Sequence, residues 1–524
     1  MRVPAGPRVA LALAAAAALG GCAVGPDFHR PAVPAGAGFT ATPLPPVTGS
    51  AEAFAGDAQR FVAGQDVRFD WWRAFGDEAL DALVEQALRA NPTVPAAQAA
   101  LRQAQELVYA QRGYFYPSVA ASYSFERQKI EGNTATTSAP GLQGNGQNLV
   151  PSAPSQPLLY NFHTAALTVG FTPDVFGANR RKVESLDAQA QIARFELEAT
   201  YVTLASNVVS AAIQEASLRA QLTATRAIIA SDEKAVAVMR EKYQQGYAMG
   251  IDLASEEAQL AEARSLLPPL EKQLEQTRDL LRALAGKLPN EELAQIFEFA
   301  SLKLPRDLPL SLPAGILAQR PDVRAAAEQI RAANAEVGVA IAAMIPQFSI
   351  SGAVGGAANE FAWMFRDGGP FWNVIAGVSQ PLFAGGTLLH TERAAKQTLL
   401  QAAALYQETV LTAYQNVADT LHALLADADE LAAASAAERA AKVTLDLALE
   451  QAHDGFIDYL SELAAETAYQ QAALDLIQAQ ATRLGDTAAL YQALGGGWWN
   501  RSAQTEPRRS PASTPAVEQL HGSL

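Results

Sequence analysis

The chain has 524 residues, 49% of them hydrophobic, so it can bury a substantial core. A formal net charge of −15 without a basic stripe speaks against nucleic acid as a partner. The lone cysteine, Cys22, excludes an internal disulfide, and six scattered histidines lack metal-ligand spacing.

At the N-terminus, residues 1–21 join Arg2 and Arg8 to an apolar alanine-leucine core and end in small residues. That is a secretory signal peptide, too short and wrongly flanked for a membrane span. Residues 22–66 are rich in Pro, Ala, Gly and Thr without apolar periodicity, and read as an extended tether running along a surface. At Asp70-Trp71-Trp72 the composition changes, with the tryptophans read as core anchors. Leu80, Leu83, Val84, Ala87 and Leu88 then follow at helical spacing. Asn91-Pro92 breaks this helix, and a second runs from Thr93 towards Gly113.

A period-two pattern comes next. Val119, Ala121, Tyr123 and Phe125 alternate with Ala120, Ser122, Ser124 and Glu126, which predicts a strand over about 118–127. A loop rich in Gly, Ser, Asn and Pro separates it from a second strand over about 159–172. Two further strands are predicted at about 347–356 and 371–380, where Phe348, Ile350, Val354, Trp372, Val374, Ala376 and Val378 hold the apolar register. Aromatic residues gather at the strand ends: Tyr114, Phe115, Tyr116, Phe171, Trp363, Phe365, Phe371 and Trp372. Such strands suit a transmembrane barrel.

After each strand pair comes a stretch without proline or glycine, near 178–244 and again near 388–453. At 1.5 Å per residue each makes a helix about 100 Å long. Val410, Tyr414, Val417, Leu421, Leu424, Ala428 and Leu431 form a coiled-coil seam in the second, and Val202, Val209, Ile213, Ala216 and Ala220 sit similarly in the first. Both helices stop at a glycine, Gly246 and Gly455, before a short polar turn and a new helix.

The chain is therefore an internal duplication. Residues 67–289 and 320–499 are the two structural repeats, joined by a linker at 290–319, with a mobile tail at 500–524. Asn91-Pro92 lies over Arg320-Pro321 and Pro117 over Pro346 at an offset of 229. The offset then falls to 208, with Pro173 on Pro381 and Gly177 on Gly385, and stays near 209 through Gly246 on Gly455 and Gly286 on Gly495. The difference lies in the hairpin loop of the first copy, where an insertion into solvent costs little.

The fold class that follows is mainly α with a membrane β part, built from a duplicated helix-strand-strand-long helix-helix unit. Four strands cannot close a barrel in lipid, because an open edge leaves backbone groups unpaired. The chain must oligomerise. Two, three or four copies give eight, twelve or sixteen strands.

Several blocks in order carry a family resemblance: Gly21-Cys22-Ala23-Val24-Gly25-Pro26-Asp27-Phe28, Trp71-Trp72 with Phe75-Gly76-Asp77, Arg320-Pro321-Asp322-Val323, Pro381-Leu382-Phe383-Ala384-Gly385-Gly386 and Ala493-Leu494-Gly495-Gly496-Gly497-Trp498. The sequence resembles the TolC-type outer membrane factors, and within them the NodT branch of lipoproteins paired with RND-type efflux pumps. The resemblance implies a homotrimer, with a trimeric 12-stranded β-barrel continued by an α-helical barrel across the periplasm. It also implies partners: a periplasmic adaptor (membrane fusion protein), an inner-membrane RND pump and outer membrane lipid. Leu19-Gly20-Gly21-Cys22 is similar to a lipobox, so Cys22 is the expected lipidation site, and Ala23 after it favours the outer membrane of a Gram-negative bacterium.

The resemblance further places Gly246, Gly250, Asp252 and Gly455 in two turns at the periplasmic tip, Asp252 being expected to cap the next helix. It makes Leu460 part of a periplasmic gate. The family's gate aspartate and arginine are replaced by Ala464 and Thr467, so Asp458, Glu462 and Glu466 are the candidates for a carboxylate ring, unless they only favour a helix start. No catalytic residue, metal or cofactor is expected, and the chain is read as not an enzyme. Alternatives to the efflux channel are the outer membrane conduit of a type I secretion system and a non-conducting coiled-coil structural lipoprotein. Lipidation and the Gly-Gly-Gly-Trp ending favour the pump-linked branch.

Overall fold

The computed structural model describes residues 23–31, 38–130, 158–310, 315, 319–366, 368–454 and 456–501. The signal peptide, Cys22, the hairpin loop 131–157, Gly455 and residues 502–524 lie outside them. The chain divides into two compact units.

One unit takes residues 23–29, 103–190 and 329–403 and holds a four-stranded antiparallel sheet. Its strands are β2 (Ser118–Ile130), β3 (Leu158–Phe171), β5 (Gln347–Ala358) and β6 (Pro370–Ser379), ordered β2-β3-β5-β6. Directly opposed residues share a face. Ser118 opposes Gly170, Gly170 opposes Ser351, and Ser351 opposes Ile375. The even positions of β2 and β3 therefore share a face with the odd positions of β5 and β6. That face carries Ser118, Ser122, Ser124, Thr164, Thr168, Ser349, Ser351 and Asn373, with Phe162, Phe371 and Ile375 as apolar exceptions. The other carries Val119, Tyr123, Phe125, Leu167, Val169, Ile350, Val354, Trp372, Val374 and Val378, all exposed. Alternation in four separate segments thus converges on a single apolar surface.

Residues 23–27 are fastened to this unit through backbone groups. Val24 N donates to Phe176 O, and the Arg181 guanidinium donates to Val24 O, Gly25 O and the Asp27 carboxylate at 2.8–3.2 Å. Asn334 reaches Pro26 O. Gly25 and Gly338 make the passage possible, since a Cβ on Gly25 would lie 2.5 Å from the Gly338 Cα. Gly338→Val is expected to lift this segment at an overpacking cost of about 1–3 kcal/mol. Chymotrypsin cleavage after Phe28 should then accelerate; an unchanged rate would show the close approach to be dispensable.

The second unit takes residues 30–102, 191–328 and 404–501 and is chiefly helical. Among the described residues the long runs of α-helix are α1 (Glu78–Ala90), α2 (Thr93–Arg112), α3 (Ala178–Gln244), α4 (Gly250–Leu284), α5 (Pro321–Ala342), α6 (Thr387–His453) and α7 (Tyr459–Ala493). Helices α3 and α6 each have 67 residues, and α4 and α7 each have 35. Both pairs start at an offset of 209. The offset of 208 read from Pro173 and Pro381 is thus one residue short. Gly177 and Gly386 are the conformational equals, with φ of 80° and 86°, each immediately ahead of its long helix.

In α6 the buried row is Val410, Ala413, Val417, Leu421, Leu424, Ala428 and Leu431, so Ala413 takes the place expected of Tyr414. Helix α4 continues through Pro268-Pro269, which removes two backbone donors on an exposed stretch where the freed carbonyls face water.

The helix junctions explain why Asn91-Pro92 and Arg320-Pro321 correspond. Asn91 Nδ2 donates to Leu284 O at 2.9 Å, and Arg320 Nη1 donates to Ala493 O at 2.9 Å. Each satisfies a carbonyl left open at the end of its copy's returning helix. Trp71 is buried and stacks on Tyr491 at 5.1 Å, and Asp77 caps α1 by accepting from Ala79 N and Leu80 N.

The segment read as a surface tether does more than drape the unit. It supplies β1 (Arg60–Ala63), paired in parallel with β4 (Asp307–Leu310), and it buries Thr48 and Gln59. Arg483, fully buried on α7, donates to Thr48 Oγ1, Gly49 O and Asp57 O at 2.8–3.3 Å.

Candidate functional site

The two turns that join a long helix to its shorter partner share one backbone solution. Gly246 adopts φ 79°, and Tyr247 N donates to Lys242 O, a bond back across six residues that closes the helix end. Phe456 N donates to Gln451 O in the same way at the end of α6. Gly455 itself is not among the described residues. Gly250 opens α4, and Asp252 accepts from Met249 N at 3.0 Å, satisfying a free donor of the first turn.

Asp458 is the N-cap of α7. Its carboxylate accepts from Ser461 N at 2.9 Å and from Ser461 Oγ at 2.6 Å, and these bonds hold its pKa below the ordinary range. Leu460 is 61% exposed. With Leu463, Ala464, Thr467, Gln471 and, from α4, Gln259, it lines an open groove.

Glu462 and Glu466 point elsewhere, into a buried carboxylate cluster between α3, α4 and α7. Its other members are Asp232 of α3, which is fully buried, and Glu256 of α4, 4% exposed. Gln470 Nε2 donates to Asp232 Oδ1 at 3.1 Å, and Ser231 Oγ donates to Glu466 Oε1 at 3.3 Å. Asp232 Oδ2 and Glu256 Oε2 have no hydrogen-bond partner. The Tyr459 hydroxyl faces Glu256 without bonding geometry, and burial beside this carboxylate raises its pKa. Burial raises all four carboxyls, and Glu466, beside Asp232 and Glu256, is pushed up to about 7. Lys242 is the one cation that opposes the shift at Glu462.

Asp458, Leu460, Glu462 and Glu466 therefore share the first turns of one helix but do different work. Asp458 closes the helix end, Leu460 is presented outward, and the two glutamates meet acids of other helices. Asp232 and Glu256 escape sequence reasoning, since single acids in an alanine-rich helix look solvated.

Among the described residues no group of His, Cys, Asp and Glu could hold a metal ion, and no helix is long and apolar enough to cross a membrane. The membrane question thus turns on the sheet.

The profile of the outer membrane efflux protein family matches residues 83–287 and 312–496. The pyoverdine export outer membrane protein OpmQ of Pseudomonas putida is 27% identical over 461 residues, covering 87% of this chain and 94% of that protein. The toluene efflux pump outer membrane protein TtgF of the same species is 26% identical over 511 residues, covering 94% and 98%. Among solved structures, the outer-membrane channel OprN superposes with a TM-score of 0.77 at 25% identity, covering 91% of this chain and all of that one. The Campylobacter jejuni CmeC outer membrane channel gives 0.78 at 22% identity, covering 91% and 95%, which is a likeness of fold. Two profile blocks, one on each repeat, together with this agreement in fold, place the chain in the outer membrane efflux protein family, as a channel and not an enzyme.

Proposed function

We propose that three copies of this chain close a twelve-stranded barrel in the outer membrane, continued by a helical tunnel through the periplasm. The tunnel forms the exit duct of a tripartite RND-type efflux system. A periplasmic adaptor and an inner-membrane pump deliver small molecules to it. The observation that carries the reading is the sheet: one exposed apolar face, one polar face, and edge strands β2 and β6, each with one side unpaired among the described residues. Backbone groups on such edges cannot stay unpaired in lipid, and identical copies supply what is missing. Aromatic residues at both ends of the strands, Tyr114 and Tyr116 at one and Trp363, Phe365 and Trp372 at the other, suit the two interfaces of a bilayer.

Acylation at Cys22 would add a lipid anchor, and residues 23–27 are fastened beside the sheet, where such an anchor would hold them. Among the relatives, one is named for pyoverdine export and another for toluene efflux. Cargo that different on one architecture fits a duct whose selectivity lies in the pump.

At the far end, Leu460 with the turns at Gly246, Gly250 and Gly455 forms the gate. The half-buried acids Glu462 and Glu466 hold the gating helix against its neighbours, and Asp458 and Asp252 fix the helix starts. The test is single-channel recording on the full-length protein in planar bilayers. The wild type should be a trimer in detergent and conduct rarely, and Leu460→Ser should raise the open probability. A monomer without β structure would end the reading as a channel. A conducting trimer indifferent to Leu460→Ser would remove the gate assignment alone.

A further inference from the structure

The internal duplication gives the residue-by-residue pairing of the seam between copies, and this inference rests on the ring of copies proposed above. Within one chain, the junction between the first repeat and the second is the β3–β5 pairing, where opposed residue numbers run from His163 with Ala358 to Phe171 with Ile350 and always sum to 521. In a closed ring of alternating repeats, the junction from the second repeat to the first repeat of the next copy is its equivalent. The structure supplies the offsets needed to transfer one junction onto the other. Strands β2 and β5 start at Ser118 and Gln347, an offset of 229. Those residues pair with Gly170 and Ser379, an offset of 209 for β3 and β6. The same 209 relates α3 to α6 and α4 to α7, so it is not local to the sheet.

We infer that β6 of one copy pairs antiparallel with β2 of the next such that opposed residue numbers sum to 501. Ser379 then opposes Ser122, Gly377 opposes Ser124, Ile375 opposes Glu126 and Asn373 opposes Gln128 on the polar face. Val378 opposes Tyr123, Ala376 opposes Phe125, Val374 opposes Arg127 and Trp372 opposes Lys129 on the apolar face. An independent constraint agrees with this sum. The polar face is even-numbered in β2 and odd-numbered in β6, so only an odd sum carries it across the seam. A one-residue slip would turn Tyr123 and Phe125 inward, because strand side chains alternate with a period of two. The 208 offset suggested by Pro173 and Pro381 gives 500, an even number, and is excluded by the same test.

The seam also sets small side chains beside large ones on the lipid side, Ala376 against Phe125. At the rim it sets Trp372 against Lys129, where a cation can lie on the indole face.

Paired cysteines test the register in the full chain. Opposed Cα atoms in an antiparallel ladder lie about 4.5–5.5 Å apart, within disulfide reach. Strands β2 and β6 of one chain are three strand spacings apart, roughly 14 Å in a flat sheet, which excludes a link within a copy. Ser122→Cys with Ser379→Cys, and Gln128→Cys with Asn373→Cys, should oxidise to covalent dimers and trimers on denaturing gels. The two-residue slips, Ser379→Cys with Ala120→Cys or with Ser124→Cys, should give roughly five-fold less linked product or lower. Each single cysteine variant controls for links through Cys22, and the mass of every variant in detergent reports assembly. A trimer linked best by a slipped pair, or by none, overturns the register and leaves the ring standing. A monomer overturns both.

Discussion

Arg483→Ala is expected to cost about 3–5 kcal/mol, the range for removing one partner from a buried ionic network. The guanidinium is fully buried on α7 and is the shared donor for Thr48 Oγ1, Gly49 O and Asp57 O. Its Nε lies 3.5 Å from Gln59 Oε1, and Gln59 in turn donates to Pro305 O and Thr487 Oγ1. Its charge also offsets Asp427, whose carboxyl is pushed up by burial beside Asp486. Without the arginine, Asp57 O loses its donor, Thr48 Oγ1 keeps only the Gln59 N–H and Gly49 O only the Thr48 hydroxyl, and Asp427 loses its counter-charge. Residues 48–59 should come away from α7 and become the first site of proteolysis, with a lower denaturant midpoint for the helical signal. Arg483→Lys should lie between, because an ammonium keeps the charge but cannot span the fork. Stability within 1 kcal/mol of wild type in Arg483→Ala would mean that the strap is held by β1–β4 pairing alone.

The carboxylate cluster should make the tip helices more stable in mild acid than in alkali. Glu466 is pushed up to about 7 from an ordinary 4.5, and Asp232, Glu256 and Glu462 move in the same direction through burial. Below about pH 4.5 Glu466 is protonated whether folded or not, so its burial carries no charge penalty. Between 4.5 and 7 the folded state holds a proton that the unfolded state has released, and stability falls as pH rises. Above 7 the folded state must accommodate the charge, and the loss is complete. Thermal unfolding followed by circular dichroism at pH 5.5 and 8.5 should show the lower midpoint at 8.5. Glu466→Gln, which keeps the shape and the bond from Ser231, should raise the midpoint at pH 8.5 and shrink the difference. An equal difference in the variant would rule Glu466 out as its source. If the gate reading holds, the same titration links alkaline conditions to a looser Leu460.

The amino-acid sequence exposed the features that chemistry writes locally. Glycine and proline mark the ends of α3 and α6, alternation marks strands, and the pairing of Asn91-Pro92 with Arg320-Pro321 marks the repeat. Apart from the carboxylate partners Asp232 and Glu256, the parts that stayed hidden depend on partners far along the chain. Strands β1 and β4 have four residues each, too few for a period, and lie nearly 250 positions apart: Arg60 meets Asp307. Arg483 occupies an ordinary polar slot in a helix until Gly49 and Asp57 arrive to claim it. Identity also misled at one point. Two prolines, Pro173 and Pro381, suggested an offset that the left-handed turn at Gly386 and the starts of α3 and α6 correct by one residue.

The equality of the paired helices, 67 residues with 67 and 35 with 35, has a consequence for how this molecule can change. In the ring proposed above, the helices are staves of a hoop and must match in height, so a heptad added to one repeat alone would leave its rim stepped, whatever the quality of the new coil. In that arrangement, reach towards another membrane would be altered only by writing the same edit twice. The hairpins carry no such obligation, and that of the first repeat, strands and connection together, is 20 residues longer than that of the second.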